Sequence, residues 1–130
     1  MNIEITFPGG DRVDAAIRGN TVSTDQDGTA PSPFDLFLAS IGTCAGIYVS
    51  RFCRQRGIDP REVRIAQRMF ADPGSGMVKR IELEIRLPAG FPERYREAVM
   101  RAAGLCSVKK HLERPPVIEV RTLVPTISTP

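Results

Sequence analysis

The first part of the chain alternates between apolar and polar residues, which is the pattern of β-strands with one dry face. The alternation covers residues 3–7 and 13–17, and Pro8-Gly9-Gly10 lies between them. Two alternating segments joined by a glycine-rich turn predict a β-hairpin, and residues 21–24 are expected to form a third short strand. Asp, Gly and Pro are frequent in residues 25–31, so this segment is predicted to be a loop.

The segment that follows has the pattern of a helix enclosed by protein on most sides. Residues 34–49 are apolar nearly all round, rather than along a single stripe. Ser32 is suited to cap the helix, Pro33 fits its first position, and Asp35 stands where a capping box has its acid. Gly57 is expected at the C′ position, just beyond the last turn. The pattern therefore predicts one long central helix.

The same two periodicities predict the elements of the second half of the chain. These are strands at 63–69 and 81–87 with a turn at 72–76, a helix from Pro92 to about Gly104, a short helix at 107–112, and a final strand from Val117 to Leu123. The resulting order, roughly β-β-(β)-α-β-β-α-α-β, indicates an α+β fold with the long helix at its centre. A length of 130 residues suits a single domain, 1–130.

The composition is that of an ordinary globular protein, with 42% hydrophobic and 25% charged residues. Six Phe, two Tyr and no Trp leave a core that must be built mainly from Ile, Val, Leu, Ala and Met. A chain of this size buries only a modest core by itself, so a homodimer would help by burying more apolar surface.

The charges and the apolar segments favour neither a nucleic acid nor a membrane as a partner. The net charge of +3 arises from 18 basic and 15 acidic residues, which are interleaved, whereas a nucleic-acid binder usually shows a dense basic stripe. The apolar run at 34–49 is shorter than the ~20 residues that a bilayer requires. The N-terminus lacks the basic and long apolar regions of a secretory signal, so a cytoplasmic location is expected.

Two of the three cysteines, Cys44 and Cys106, stand in settings that suggest thiol redox chemistry. Cys44 lies midway along the predicted central helix, and Cys106 lies close to the start of a later helix. They are far apart in the sequence, so only the tertiary structure or a dimer can unite them. An odd number of cysteines without Cys-x-x-Cys or Cys-His clusters indicates neither a disulfide scaffold nor a metal site. Burial as a small apolar residue is the alternative explanation of each thiol.

Two other residues with reactive side chains are given no role by the sequence. Cys53 lies nine residues after Cys44, about 900° around the helix, and therefore on its opposite face. His111 is the only histidine and is expected at the surface of the last short helix.

Three stretches of the chain carry motifs of a known family. They are APSPFDLFLASIGTC at residues 30–44, RGI at 56–58 and AAGLCSV at 102–108. These stretches resemble the OsmC/Ohr family of osmotically inducible and organic hydroperoxide resistance proteins. The most specific part is the Gly-x-Cys that ends at Cys44, together with the Cys-x-Val that begins at Cys106. The resemblance implies an intertwined homodimer with two equivalent sites at its interface.

In the peroxidase members of that family, the cysteine matching Cys44 attacks the peroxide and the one matching Cys106 resolves the product. The resemblance therefore implies a thiol peroxidase for small organic hydroperoxides, which a lipoyl-type dithiol resets without a metal or prosthetic group. A thiolate attacks the O–O bond, so Cys44 needs a cation to lower its pKa, while burial within a helix acts in the opposite direction. Arg12 or Arg18, on the N-terminal strands, is expected to supply that cation.

The chain departs from the peroxidase members on the helix that carries the first cysteine. Their Glu, ten residues before that cysteine, is Phe34 here, and the nearest acid is Asp35, one place further and turned by about 100°. Asp35 is therefore a candidate catalytic acid, although its position also suits a helix start. Ser107 stands where a Pro often follows the second cysteine.

Two functions of different classes remain open. The first is a peroxidase whose organic substrate contacts four apolar residues near Cys44, which core packing would also explain: Phe34, Phe37, Ile41 and Tyr48. The second is an OsmC-like protein without peroxide turnover that binds a small apolar ligand at the interface, and Phe34 in place of the Glu favours it. A thiol redox sensor is a third interpretation, which would need a partner that the sequence does not reveal.

Overall fold

The N-terminal residues form a three-stranded antiparallel sheet in the computed structural model, which describes residues 1–126. Its strands are β1 (Glu4–Gly9), β2 (Arg12–Ile17) and β3 (Asn20–Thr24), in the order β1-β2-β3. The first turn has positive φ at Gly9 and Gly10, and the second at Arg18 and Gly19, which is why glycines serve both turns. The predicted hairpin and third strand are confirmed.

The predicted central helix is α1 (Pro33–Gln55), with both ends as the sequence indicates. Ser32 caps its start, since its side-chain oxygen accepts a hydrogen bond from the Asp35 backbone N–H at 3.1 Å. Gly57 follows the C-cap residue with φ +69°, the left-handed conformation that ends many helices. One side of α1 is buried, through Ile41, Ala45, Val49, Phe52 and Cys53.

A second sheet follows α1 and packs against it. Strands β4 (Arg64–Ala71) and β5 (Val78–Arg86) pair antiparallel, so that Ile65 faces Ile85 and Gln67 faces Leu83. Two glycines of α1, Gly42 and Gly46, lie closest to the side chains of Gln67 and Ile65. The alternating pattern thus predicted both strands within a few residues at each end.

Two short helices are the last regular elements of the described chain. A 3-10 turn at Glu93–Tyr95 leads into α2 (Arg96–Ala103), so the helix predicted from Pro92 becomes α-helical only at Arg96. The last helix is α3 (Ser107–Glu113). Both pack on α1, and Val99 of α2 joins Val49, Phe52 and Cys53 in the buried core.

The prediction of a final strand from Val117 to Leu123 is wrong for this chain. Residues 115–126 contain no strand, and their side chains are exposed, with Val120 at 93%. A strand requires a neighbouring strand for its backbone hydrogen bonds, and neither described sheet pairs with this segment. The predicted domain, 1–130, extends four residues beyond the described part and remains a prediction.

Much apolar surface is left uncovered in the described chain. The N-terminal sheet packs only weakly on the other elements, and large apolar side chains are exposed on β1, on α1 and in the C-terminal segment.

Helix α1 is 23 residues long and by length and composition alone resembles a membrane span, which corrects the length argument drawn from its apolar run. Here it carries α2, α3 and β4 on its sides, as the central helix of a globular fold does.

Candidate active site

The two cysteines singled out in the sequence lie together where α3 meets α1. Cys44 is midway along α1 and partly exposed, whereas Cys106 precedes α3 and is only 2% exposed. The Cys106 sulfur accepts a hydrogen bond from the Lys109 backbone N–H at 3.5 Å, so it caps α3. The same sulfur lies 3.9 Å from the carbonyl oxygen of Ile41, one turn before Cys44.

The surroundings of the two thiols shift their pKa values in opposite directions. The pKa of Cys44 is lowered by the backbone N–H of Val108, by the thiol of Cys106 and, less strongly, by the N–H of Ser107. Burial raises the pKa of Cys106, and the neighbouring Cys44 raises it further. Cys44 is therefore the thiol that ionises first, with a protonated Cys106 beside it to donate a hydrogen bond.

This geometry adds a source of the thiolate that the sequence did not indicate. The sequence indicated that an arginine must lower the pKa of Cys44, because its place on α1 is far from the start of that helix. The structure provides backbone N–H groups from the first turn of a different helix, α3. Within residues 1–126 no arginine is among the groups that shift the pKa of Cys44.

The two candidate arginines occupy the N-terminal sheet. Arg12 forms an ion pair with Asp14 at 3.0 Å and donates a hydrogen bond to Ser23 at 3.1 Å. Arg18 lies in the turn after β2, and its Nε contacts the sulfur of Met1 at 3.2 Å. Neither approaches Cys44 of the same chain as a pKa-shifting group, so their proposed role requires a second copy.

Three other residues with titratable side chains fall where the sequence placed them. Asp35 is exposed, and its backbone N–H is the group that Ser32 caps. Cys53 is fully buried in the core, and this burial raises its pKa. His111 is exposed, and its Nδ1 lies 2.7 Å from the carbonyl oxygen of Ser107, one turn before it in α3.

An apolar cavity of about 400 Å³ opens beside Cys106. Of the four predicted pocket residues only Ile41 lines it. Phe34 and Phe37 stack on each other at 5.7 Å in the first turns of α1 and are exposed, and Tyr48 lies 6.0 Å from the guanidinium of Arg51. The other lining residues come from β5, α2 and the segment around α3: Ile81, Leu83, Ile85, Met100, Ala103, Gly104, Cys106, Lys109 and Leu112.

The sequence reasoning missed these lining residues, although one signal for them was available. The alternation along β5 predicted a dry face carrying Ile81, Leu83 and Ile85, but it did not indicate what that face covers. Among residues 1–126, no group of three or more His, Cys, Asp or Glu side chains is arranged to hold a metal ion. The reactive side chains that the structure brings together at this site are the thiols of Cys44 and Cys106.

Comparison with known proteins gives one family match by sequence. The model of the family described as OsmC-like protein matches residues 25–121, a span that includes both cysteines and most of the chain. A search of curated proteins returned no match.

Solved structures with the same fold cover most of this chain. An osmotic stress induced and detoxification response protein of Psychrobacter arcticus 273-4 superposes with a TM-score of 0.72 at 20% identity, over 85% of this chain and 86% of that one. An OsmC-like hydroperoxide resistance protein of Jannaschia sp. CCS1 gives 0.52 at 22% identity, over 89% and 87%. The organic hydroperoxide resistance protein OhrB of Bacillus subtilis gives 0.52 at 16% identity, over 85% and 90%.

Proposed function

This chain belongs to the OsmC-like family, and we propose that it is a thiol-dependent peroxidase for organic hydroperoxides that uses Cys44 and Cys106. The observation that carries the proposal is the pairing of two thiols with opposite pKa shifts. A peroxidase of this kind needs one sulfur that ionises easily and a second that remains a thiol within reach. Two proteins that share the fold are named for hydroperoxide resistance, which supports the same choice.

In the first step the Cys44 thiolate attacks the terminal oxygen of the hydroperoxide. A sulfur–oxygen bond forms, the O–O bond breaks, and the alkoxide that leaves takes a proton from water to become an alcohol. Cys44 is thereby oxidised to a sulfenic acid. The N–H groups of Val108 and Ser107 favour the thiolate before the attack.

In the second step Cys106 resolves the sulfenic acid. Its sulfur bonds to the Cys44 sulfur, the hydroxyl leaves with the Cys106 proton as water, and a Cys44–Cys106 disulfide remains. An external dithiol, of the lipoyl type, then exchanges with the disulfide, returns both cysteines to thiols and becomes a disulfide itself. Because the two sulfurs lie close together, the sulfenic acid of Cys44 is converted to the disulfide faster than peroxide oxidises it further.

The cavity beside Cys106 supports an organic rather than an inorganic peroxide. Its walls are mostly the side chains of Ile, Leu, Met and Ala, and burying an alkyl or aryl group against them stabilises the complex by about 25 cal/mol for each Å² removed from water. Hydrogen peroxide has no such group to bury. We therefore expect cumene hydroperoxide to react faster than hydrogen peroxide.

The test is to treat the reduced protein with substoichiometric cumene hydroperoxide and to map its disulfides by mass spectrometry. A Cys44–Cys106 bridge that forms within seconds is expected in the wild type. It should be absent from Cys44→Ser, and in Cys106→Ser a sulfenic acid should persist on Cys44 and react with dimedone. Cys53→Ser is the matched control, because that thiol is buried in the core and should leave bridging unchanged. Slow, unselective oxidation of all three thiols would overturn the proposal.

The proposed enzyme acts as a homodimer. The uncovered apolar side chains on the N-terminal sheet, α1 and the C-terminal segment support a second copy that packs against them. In such an intertwined dimer, the N-terminal sheet of one copy lies over α1 of the other and brings Arg12 or Arg18 toward Cys44. That arrangement gives the arginine the role that the resemblance implies, in addition to the N–H groups of α3.

A second function, the binding of a small apolar ligand without peroxide turnover, is favoured by Phe34. This residue stands where the peroxidase members have a Glu, and its ring stacks on Phe37. Two measurements on the same protein separate the two functions. A binder would enhance the fluorescence of an apolar dye, and cumyl alcohol would displace that dye. The same binder would form no Cys44–Cys106 bridge with the hydroperoxide.

A further inference from the structure

One polar side chain of the second sheet reaches the backbone of the helix that carries Cys44. Gln67, in the middle of β4, donates a hydrogen bond from Nε2 to the carbonyl oxygen of Leu38 at 2.8 Å. That oxygen is also the regular α-helical acceptor for the N–H of Gly42, four residues later. Gln67 therefore adds a second hydrogen bond to one specific turn of α1, from the side opposite to α3.

The contact depends on the absence of a side chain at Gly42. A methyl group built there would overlap the Oε1 atom of Gln67. One turn later Gly46 is similarly close to β4, where a methyl group would lie 3.9 Å from the Cδ1 atom of Ile65. Glycine in the middle of a helix is less stable than Ala, and here the two glycines permit close packing of the helix on the strand.

The same turn is held from its other side by the second cysteine. The carbonyl oxygen of Ile41 lies 3.9 Å from the Cys106 sulfur. Cys44 follows Gly42 by two residues, about 200° around the helix, so it faces away from Gln67 and toward α3. The turn from Leu38 to Cys44 is thus clamped between Gln67 on the sheet side and Cys106 on the thiol side.

We propose that Gln67 is a positioning residue, which fixes this turn of α1 and so sets the separation of the Cys44 and Cys106 sulfurs. The proposal deepens the peroxidase assignment and rests on it, because the resolving step is where the separation matters. A displacement of about 1 Å at a reacting group can slow a reaction by on the order of a hundredfold. Removing the amide should therefore affect bond formation between the two sulfurs more than it affects the fold.

The experiment compares Gln67→Met with the matched control Gln55→Met. Methionine keeps the length of the side chain and removes the amide, and Gln55 is an exposed residue at the end of α1. The readouts are the rate at which diamide closes the Cys44–Cys106 bridge and the pH midpoint for alkylation of Cys44 by iodoacetamide, resolved by peptide mapping. Gln67→Met is expected to bridge about tenfold or more slower, with a higher midpoint, and Gln55→Met to match the wild type.

A single substitution at Gly42, made in two backgrounds, keeps the test decisive if Gln67→Met unfolds. In the wild-type background Gly42→Ala should slow formation of the Cys44–Cys106 bridge, because the new methyl group overlaps the side-chain amide of Gln67. In the Gln67→Ala background that amide is gone, so Gly42→Ala should slow bridging no further. Equal slowing in both backgrounds, or wild-type bridging and an unchanged midpoint in Gln67→Met, overturns the proposal. Since diamide needs no peroxide, a wild type that bridges with diamide but not with cumene hydroperoxide refutes the peroxidase and leaves the test of Gln67 intact.

Discussion

Cys44 and Cys106 have identical side chains, and the opposite shifts of their pKa values arise from what surrounds each sulfur. Cys44 is partly exposed and faces the backbone N–H groups of Ser107 and Val108, which stabilise negative charge. Cys106 is buried, and it lies beside the sulfur that ionises first, so its own ionisation is disfavoured. The asymmetry of the pair therefore arises at the start of α3. Backbone N–H groups of its first turn point to Cys44, while Cys106 is its buried N-cap residue.

The opposite pKa shifts predict a definite order of thiol reactivity with pH. A lowered pKa means that Cys44 is ionised at a lower pH than an ordinary cysteine. The rates of its alkylation and of its reaction with peroxide should therefore decrease only when the pH falls through that lowered pKa. Cys106 should require a higher pH than an ordinary cysteine. Iodoacetamide alkylation across pH 5–10, quantified for each cysteine peptide, measures both midpoints.

Cys53 serves as the internal control in that experiment. Burial raises its pKa and excludes the reagent, so it should be alkylated only in denaturant. If Cys106 were modified before Cys44 as the pH rises, the assignment of attacking and resolving thiols would be reversed.

At this scale the sequence predicted where the cysteines lie better than it predicted which groups surround them. Cys44, Cys106 and the buried Cys53 are placed as expected, because helix periodicity and the neighbouring small residues are local information. The donors to Cys44 are backbone groups of Ser107 and Val108, and every residue except proline carries such a group. No side-chain pattern marks them, so only the tertiary contact between α1 and α3 reveals them.

The start of α1 illustrates an element whose boundary is set by one side chain. Ser32→Ala removes the hydrogen bond from the Asp35 N–H to the Ser32 oxygen and should destabilise the protein by about 1 kcal/mol, the typical cost of losing an N-cap. Ser40→Ala is the matched control, because the Ser40 hydroxyl only bonds back to the Phe37 carbonyl within the helix. Urea unfolding measures both, and equal stabilities of the two variants would contradict the capping role of Ser32.

The start of α3 is capped by a sulfur, which links stability to chemistry at one residue. Serine is among the best N-cap residues and Ala among the poor ones, so Cys106→Ser should be more stable than Cys106→Ala by about 1 kcal/mol. Urea unfolding gives the difference, while both variants should fail to form the Cys44 bridge. A more stable Ala variant would show that Cys106 contributes by packing alone.

Elements with local signals were predicted well, and the exception has a physical cause. Helix α1 begins at the Ser32 cap and ends before Gly57, and β5 follows its alternation. The segment from Val117 to Leu123 alternates as well, yet it is exposed and unpaired in the described chain. Alternation of apolar and polar residues indicates that a segment could have one buried and one exposed face. A strand forms only when another strand pairs with its backbone N–H and C=O groups.

The whole molecule combines a small core with a large exposed apolar surface. The buried cluster consists of Val49, Phe52, Cys53 and Val99, while apolar side chains on β1, α1 and the C-terminal segment face outward. Monomeric soluble proteins rarely expose extended apolar patches. A second copy of the chain is the partner that the family resemblance implies, and its N-terminal sheet and C-terminal segment would find there the packing that the single chain lacks.

The proposed homodimer leads to a prediction about mass and about one exposed side chain of α1. Purified protein should scatter light as a particle of twice the 14.3 kDa chain mass. Ile47, which is 50% exposed on α1, should lie in the interface, so Ile47→Lys would place a charge there and shift the protein toward monomer. Met77→Lys is the matched control, because Met77 is 68% exposed in the turn between β4 and β5 rather than on α1, and this variant should leave the mass unchanged.

In the proposed homodimer folding is linked to association, so the stability of the protein should depend on the same monomer–dimer equilibrium. The melting temperature of the wild type should rise with protein concentration, as it does when the native state is an oligomer, and that of Ile47→Lys should be lower and less dependent on concentration. The bridge between Cys44 and Cys106 lies within one chain, so diamide should still close it in Ile47→Lys. Peroxide turnover should fall in that variant if an arginine from the second copy assists Cys44. A wild type that scatters as a single chain at all concentrations would exclude the dimer and leave the N–H groups of α3 as the sole activating groups.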